Sequence, residues 1–105
     1  KQHSEHNELN ELIKNNEPIL VWGAGMYTLR LLEDGLLNRC NIISFIDKDS
    51  NKQGNKINDI SITSPDIIKT HTKMPIIIAS AIHGKAIKAE IEQIDGNSNR
   101  KTIIL

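Results

Sequence analysis

The sequence predicts an α/β fold, a small parallel sheet of about four to five strands with helices on both faces. Three observations predict it. Continuous apolar runs, suited to strands buried on both faces, recur at Ile19-Leu20-Val21-Trp22, Ile42-Ile43-Ser44-Phe45-Ile46 and Ile76-Ile77-Ile78-Ala79. Segments with apolar residues at helical spacing lie between them. Gly, Pro, Asn and Asp clusters punctuate the boundaries. The chain has 105 residues, enough for one domain spanning 1–105.

The elements follow in order. His3 to Asn16 is polar with Leu9, Leu12 and Ile13 at helical spacing, an amphipathic helix and linker over 1–17 ahead of a core over 18–105. Pro18 ends that helix and admits the first strand. Met26, Leu29, Leu32, Leu36 and Leu37 predict a helix from Met26 to Leu37, with Gly35 a blemish near its end. The second strand runs from Ile42 to Ile46, and Asp47 to Gly54 is a polar turn. Ile57 to Ile62 alternates as one short edge strand. Ser64 as N-cap and Pro65 at the first helical position start a short helix reaching His71. After the strand at Ile76, His83-Gly84 opens a helix with Ala86, Ile87, Ile91 and Ile94 on one face, stopped by Asp95-Gly96-Asn97-Ser98. Thr102 to Leu105 is the last strand. Right-handed crossovers place the strands at Ile42 and Ile76 on opposite sides of the strand at Ile19. The ends of Trp22 and Ala79 then flank a topological switch point, where open α/β sheets bind ligands.

Composition excludes several functions. Thirteen basic and 13 acidic residues balance to zero net charge, which leaves no electrostatic footprint for nucleic acid. Trp22, Tyr27 and Phe45 are the only aromatic residues, too few for a base-stacking platform. Cys40 is the only cysteine and reads as a small hydrophobe, so no disulfide framework or cysteine zinc site forms within the chain. No apolar stretch reaches the length of about 20 residues that spans a bilayer, and a cytoplasmic location is the expectation. The chain begins Lys1-Gln2-His3 without methionine and is read as a fragment of a larger protein with a covalent neighbour domain.

Gly23-Ala24-Gly25-Met26-Tyr27-Thr28 carries the chemistry. It matches the first two glycines of G-x-G-x-x-G, with Thr28 in the third place. Gly23 allows a tight turn off the strand, and Gly25 lets backbone approach a pyrophosphate. The free N–H groups of the following helix favour an anion. Asp47 stands 22 residues after Gly25, at the end of the next strand, where a carboxylate accepts hydrogen bonds from a ribose. Thr28 in place of glycine predicts looser helix–strand packing than in dinucleotide enzymes. Asp47 disfavours the 2′-phosphate of NADP, while Lys48 and Lys52 nearby keep it open. The competing reading makes Gly-Ala-Gly a bare strand-to-helix turn. A methyltransferase loop fits poorly, since Trp22 stands where an acidic residue precedes the first glycine.

Gly23-Ala-Gly, Phe45-Ile-Asp47-x-Asp49, Lys52-Gln53-Gly54, Ile60-x-Ile62-x-Ser64-Pro65 and Ile76-Ile-Ile-Ala-Ser80 together resemble a small Rossmann-like domain. The stretch from Pro18 to Leu105 is similar to the amino-terminal nucleotide-sugar-binding domain of bacterial sugar acetyltransferases. It is similar also to the carboxy-terminal domain of some sugar methyltransferases and glycan-biosynthesis proteins. The resemblance implies a nucleotide-sugar held over the glycine loop, with transferase catalysis in a separate domain. Met26, Tyr27 and Thr28 depart from that family's Gly-Gly-His-Gly-like loop, so its sugar specificity does not carry over.

No catalytic set emerges. Tyr-x-x-x-Lys is absent, because Leu31 stands four residues after Tyr27. His3, His6 and His71 lack ligand spacing, so no metal site is expected. Ser80 and His83 lie beside the switch point as binding candidates. The expected ligand set is therefore Gly23, Ala24, Gly25, Met26, Tyr27, Asp47, Ser80 and His83, for a nucleotide-sugar or NAD. The sequence leaves open a ligand-free scaffold for homo-oligomerisation or domain docking, and the NAD-binding part of an oxidoreductase.

Overall fold

A computed structural model describes the backbone over 3–96 and 99–105, and side chains from residue 7 onward within those ranges. The elements in chain order are α1 (His3–Lys14), β1 (Pro18–Trp22), α2 (Met26–Glu33), β2 (Asn41–Ile46), β3 (Lys56–Ile57), β4 (Ile60–Thr63), α3 (Ile67–Thr70), β5 (Ile76–Ile78), α4 (Gly84–Asp95) and β6 (Thr102–Ile104). The sheet order is β3-β4-β2-β1-β5-β6. Every pairing is parallel except β3 with β4. This is the expected α/β architecture, with β2 and β5 on opposite sides of β1 as right-handed crossovers require.

The sheet has six strands, because the single edge strand expected over Ile57 to Ile62 is a hairpin. Asn58 and Asp59 turn it with φ of 51° and 65°, the left-handed pair of a tight hairpin turn. Asn-Asp fills this turn without the usual glycine, which hid it.

Alternation along the strands separates two cores. Ile19, Val21, Phe45 and Ile77 face α1 and α2, where they meet Leu9, Leu12, Leu32 and Leu37. Leu20, Trp22, Ile46, Ile76 and Ile78 face the other way, towards Ile68 of α3 and Ile91 of α4. Both faces of β1 are thus buried, as its apolar run requires. A register shift between Ile19 and Leu20, opposite Ile42 and Ser44, turns Ile43 outward. Ser44 is buried there, its hydroxyl 3.0 Å from the Ser61 carbonyl oxygen, 3.1 Å from the Phe45 carbonyl oxygen and 3.0 Å from the Thr63 hydroxyl.

Three helix expectations need correction. α2 stops at Glu33 rather than Leu37, because Gly35 adopts φ +87° and its N–H donates to the Leu32 carbonyl. Its buried residues are Thr28 and Leu32, while Met26 and Leu29 are exposed. The Thr28 hydroxyl donates to the Gly23 carbonyl at 2.9 Å, which turns Thr28 inward and rotates the apolar stripe away. α3 begins at Ile67, two residues later than Pro65 suggests, and the Ser64 hydroxyl accepts the Asp66 N–H. On α4 the packed set is Gly84, Ile87, Ile91 and Ile94, and Ala86 is exposed. Gly96 takes the left-handed position that ends this helix, while Asn97 and Ser98 lie outside the described residues.

Candidate functional site

The ends of β1, β2 and β5 converge at the switch point. The Gly23 N–H donates to the Ile46 carbonyl at 2.7 Å, and the Ala79 N–H donates to the Trp22 carbonyl at 2.9 Å. These bonds clamp the glycine loop between its neighbouring strands. Gly23 has φ +121°, and a Cβ there would lie 2.7 Å from the Ala79 carbonyl oxygen. Its glycine is therefore demanded by the protein's own backbone. Thr28, 1% exposed, fills the third-glycine position with a satisfied hydroxyl, so the packing is tight and not the looser one expected.

Gly25 differs. Its backbone is extended, with φ −104° and ψ −162°, open to any residue. A Cβ there would meet only the Lys52 ammonium, at 3.6 Å. Among the described residues, the N–H groups of Gly25, Met26, Tyr27 and Thr28 have no acceptor. These are the free donors of a helix start.

Asp47 sits beside the loop in an unexpected role. One carboxylate oxygen accepts the Ala24 N–H at 3.0 Å, and the other accepts the Asp49 N–H at 2.9 Å. Asp47 thus anchors the loop to the end of β2. Gln53 supports it by donating from its amide to the Asp47 carbonyl at 2.8 Å. Each carboxylate oxygen keeps a second lone pair, so capacity to accept from a ribose remains. The Ala24 N–H is spent on Asp47 and leaves the loop's free donor set.

The other candidates fall around this centre. Met26 stands at the rim, 70% exposed, and the Tyr27 ring is half-buried against the α1–α2 core. Ser80 accepts the His83 N–H on its hydroxyl at 2.9 Å, a turn that carries the chain into α4. Ser80 and His83 line a cavity of ≈ 420 Å³ with Ile82, Lys85, Ile104 and Leu105. The sequence offers Lys52 as a counter-charge for a 2′-phosphate. Its ammonium stands over Gly25 and 3.9 Å from Asp47, in a turn closed by the Lys52 N–H donating to the Asp49 carbonyl. An Asx-type turn running from Asp47 to Lys52 was the signal available for it.

Elsewhere, Cys40 is half-buried, its thiol directed at the Leu36 carbonyl at 3.9 Å. Burial raises its pKa against the lowering pull of Arg39. Among the described residues, no cluster of three or more His, Cys, Asp or Glu could hold a metal, and no helix is long and apolar enough to cross a membrane. The side chains of His3 and His6 lie outside the described residues.

Residues 15–103 match the family described as C2185-like, N-terminal, and the chain belongs to that family. No curated protein is matched. Among solved structures, the chain is similar to the crystal structure of UDP-D-quinovosamine 4-dehydrogenase from Vibrio fischeri. The identity is 25% and the TM-score 0.55, with 75% of this chain and 72% of that chain covered.

Proposed function

We propose that this domain binds a nucleotide-sugar through the glycine loop and performs no chemistry itself, serving a sugar- or glycan-modifying enzyme as an accessory part. Gly25 carries the reading. Nothing in the protein crowds it, its backbone suits any residue, and the N–H groups beside it lack acceptors. A glycine with no internal reason is accounted for by a ligand that approaches the backbone closely. Lys52 adds a positive charge over the same spot. The similar structure bears the name of an enzyme acting on a UDP-sugar, which is compatible with the nucleotide-sugar class. A covalently attached catalytic neighbour is the partner this reading implies, since a fold alone does not define a reaction.

The test is a thermal-shift panel of UDP-, dTDP- and GDP-sugars, NAD, NADP, S-adenosylmethionine and CoA. A ligand binding only the folded chain stabilises it by about 2.7 kcal/mol at 100 times its Kd. The expected result is a response to one sugar nucleotide class, lost in Gly25→Val while the variant keeps its fold. A scaffold reading has its own observation: exposed Met26 and Leu29 on α2, beside a groove lined by Leu29, Leu32, Glu33, Asn38, Ile57 and Asn58. A flat panel, with a dimer that Leu29→Glu dissolves, is the outcome that selects it.

A further inference from the structure

The two lysines of the turn after β2 serve different neighbours, and the difference bears on what the glycine loop can hold. Lys48 pairs with Glu90 at 2.9 Å, which commits it to α4. Lys52 leans over the glycine loop instead, 3.6 Å from where a Gly25 Cβ would stand. The Asp47 oxygen 3.9 Å from it is the one that accepts the Ala24 N–H, so the ammonium lies on the loop side of that carboxylate. This separation is an ion pair but too long for a hydrogen bond, and the ammonium carries three N–H donors. Among the lysines with described side chains, Lys52 alone is not exposed. The turn fixes the root of the side chain, since the N–H groups of Asn51 and Lys52 donate to Asp49 and the Gly54 N–H donates to the Ile62 carbonyl of β4.

We infer that Lys52 is the side chain that reads the ligand's diphosphate, adding its ammonium to the free N–H groups at the start of α2, and that the site refuses a 2′-phosphate. The inference rests on the nucleotide-sugar reading for its ligand. Glycine at position 25 leaves open the space between the loop backbone and the ammonium. A flexible four-carbon stem lets this point charge follow an anion that enters there. Phosphate oxygens offer it charge-assisted hydrogen bonds in place of a carboxylate at 3.9 Å. A ribose held at Asp47 would press a 2′-phosphate against that carboxylate. Neither lysine then answers it, because Glu90 holds Lys48 and Lys52 stands at the diphosphate.

The test titrates inorganic pyrophosphate, at fixed ionic strength, into the isotopically labelled chain and follows amide chemical shifts. Shifts are expected on Gly25 to Thr28. Lys52→Gln should weaken pyrophosphate about fivefold, the upper scale of a solvent-exposed ion pair, and Lys52→Arg should restore it. Lys56→Gln removes the same charge from the exposed edge of β3 and should leave the affinity unchanged. Silence of the loop amides, an affinity that Lys52→Gln does not move, or equal weakening by Lys56→Gln overturns the inference. Adenosine 2′,5′-bisphosphate should bind no more tightly than adenosine 5′-monophosphate. A gain for the bisphosphate that Lys52→Gln abolishes assigns Lys52 to the 2′-phosphate and overturns it too. The sugar-nucleotide panel separates the two readings. A response lost in Gly25→Val but kept in full by Lys52→Gln leaves the nucleotide-sugar reading standing and removes this one. Pyrophosphate shifts that depend on Lys52, with a flat panel, do the reverse.

Discussion

Two glycines two positions apart serve different masters. Gly23 is fixed by its φ of +121° and by the Ala79 carbonyl oxygen 2.7 Å from where a Cβ would stand. Gly23→Ala is expected to destabilise the fold by at least about 2 kcal/mol, combining left-handed strain with a clash against backbone that cannot move aside. Urea unfolding measures this directly, and a midpoint unchanged from the parent chain refutes it. Gly25→Ala should cost less than about 1 kcal/mol, the loss on replacing a tolerated N-cap residue. The motif was legible in the sequence, but the division of labour was not, because it depends on how β5 approaches the loop. Asp47 teaches the same lesson. Its spacing from Gly25 marks it as a candidate ribose partner, and its oxygens in addition hold the Ala24 and Asp49 N–H groups. A local turn after β2 decides this, and hydrophobic periodicity carries no trace of it.

At the scale of elements, strands were read closely because burial on two faces writes itself as an apolar run. Helix faces were read less well. The sequence offers Met26 and Leu29 as core, but one hydroxyl bond from Thr28 to Gly23 sets the rotation of α2 and exposes both. Arg100 was given no role by the sequence, yet it ties the end of α3 to the end of α4. Its guanidinium donates to the carbonyls of Ile68, His71 and Met74 around the end of α3, and to both Asp95 carboxylate oxygens at the end of α4. The pair is buried, with side-chain exposures of 2% and 7%. Arg100→Met leaves Asp95 a buried charge without its guanidinium, and the expected loss is about 3–5 kcal/mol. Arg100→Lys should rescue little, since a single ammonium cannot reproduce a planar fork. Far-UV circular dichroism across a urea titration reads both variants. A loss under about 1 kcal/mol for Arg100→Met would make the cluster peripheral.

The order β2-β1-β5 puts the candidate site at the point where the strand order reverses, and that strand order was legible because crossover handedness follows from chain chirality. The hairpin was missed, since Asn58-Asp59 supplies residues that tolerate positive φ but lacks the glycine that usually marks such a turn. These two regions should also differ in how they open. β1 and β5 sit in the middle of the sheet with both faces buried, so their amides exchange only through global unfolding. β3 is a two-residue edge strand with Lys56 exposed, and it can detach while the rest persists. A ligand that binds the folded chain lowers the globally unfolded population by the factor 1 + [L]/Kd. At 100 times Kd, hydrogen exchange at Leu20, Val21, Ile77 and Ile78 is therefore expected to slow about a hundredfold. Exchange in the hairpin at Ile57 and Ile60 should stay unchanged, because its opening leaves the glycine loop intact. Equal slowing in both regions would mean that the hairpin and the switch point open as one unit. The anchor of the loop, Asp47, would then transmit the motion, since its N–H donates to the Thr63 carbonyl at the end of β4.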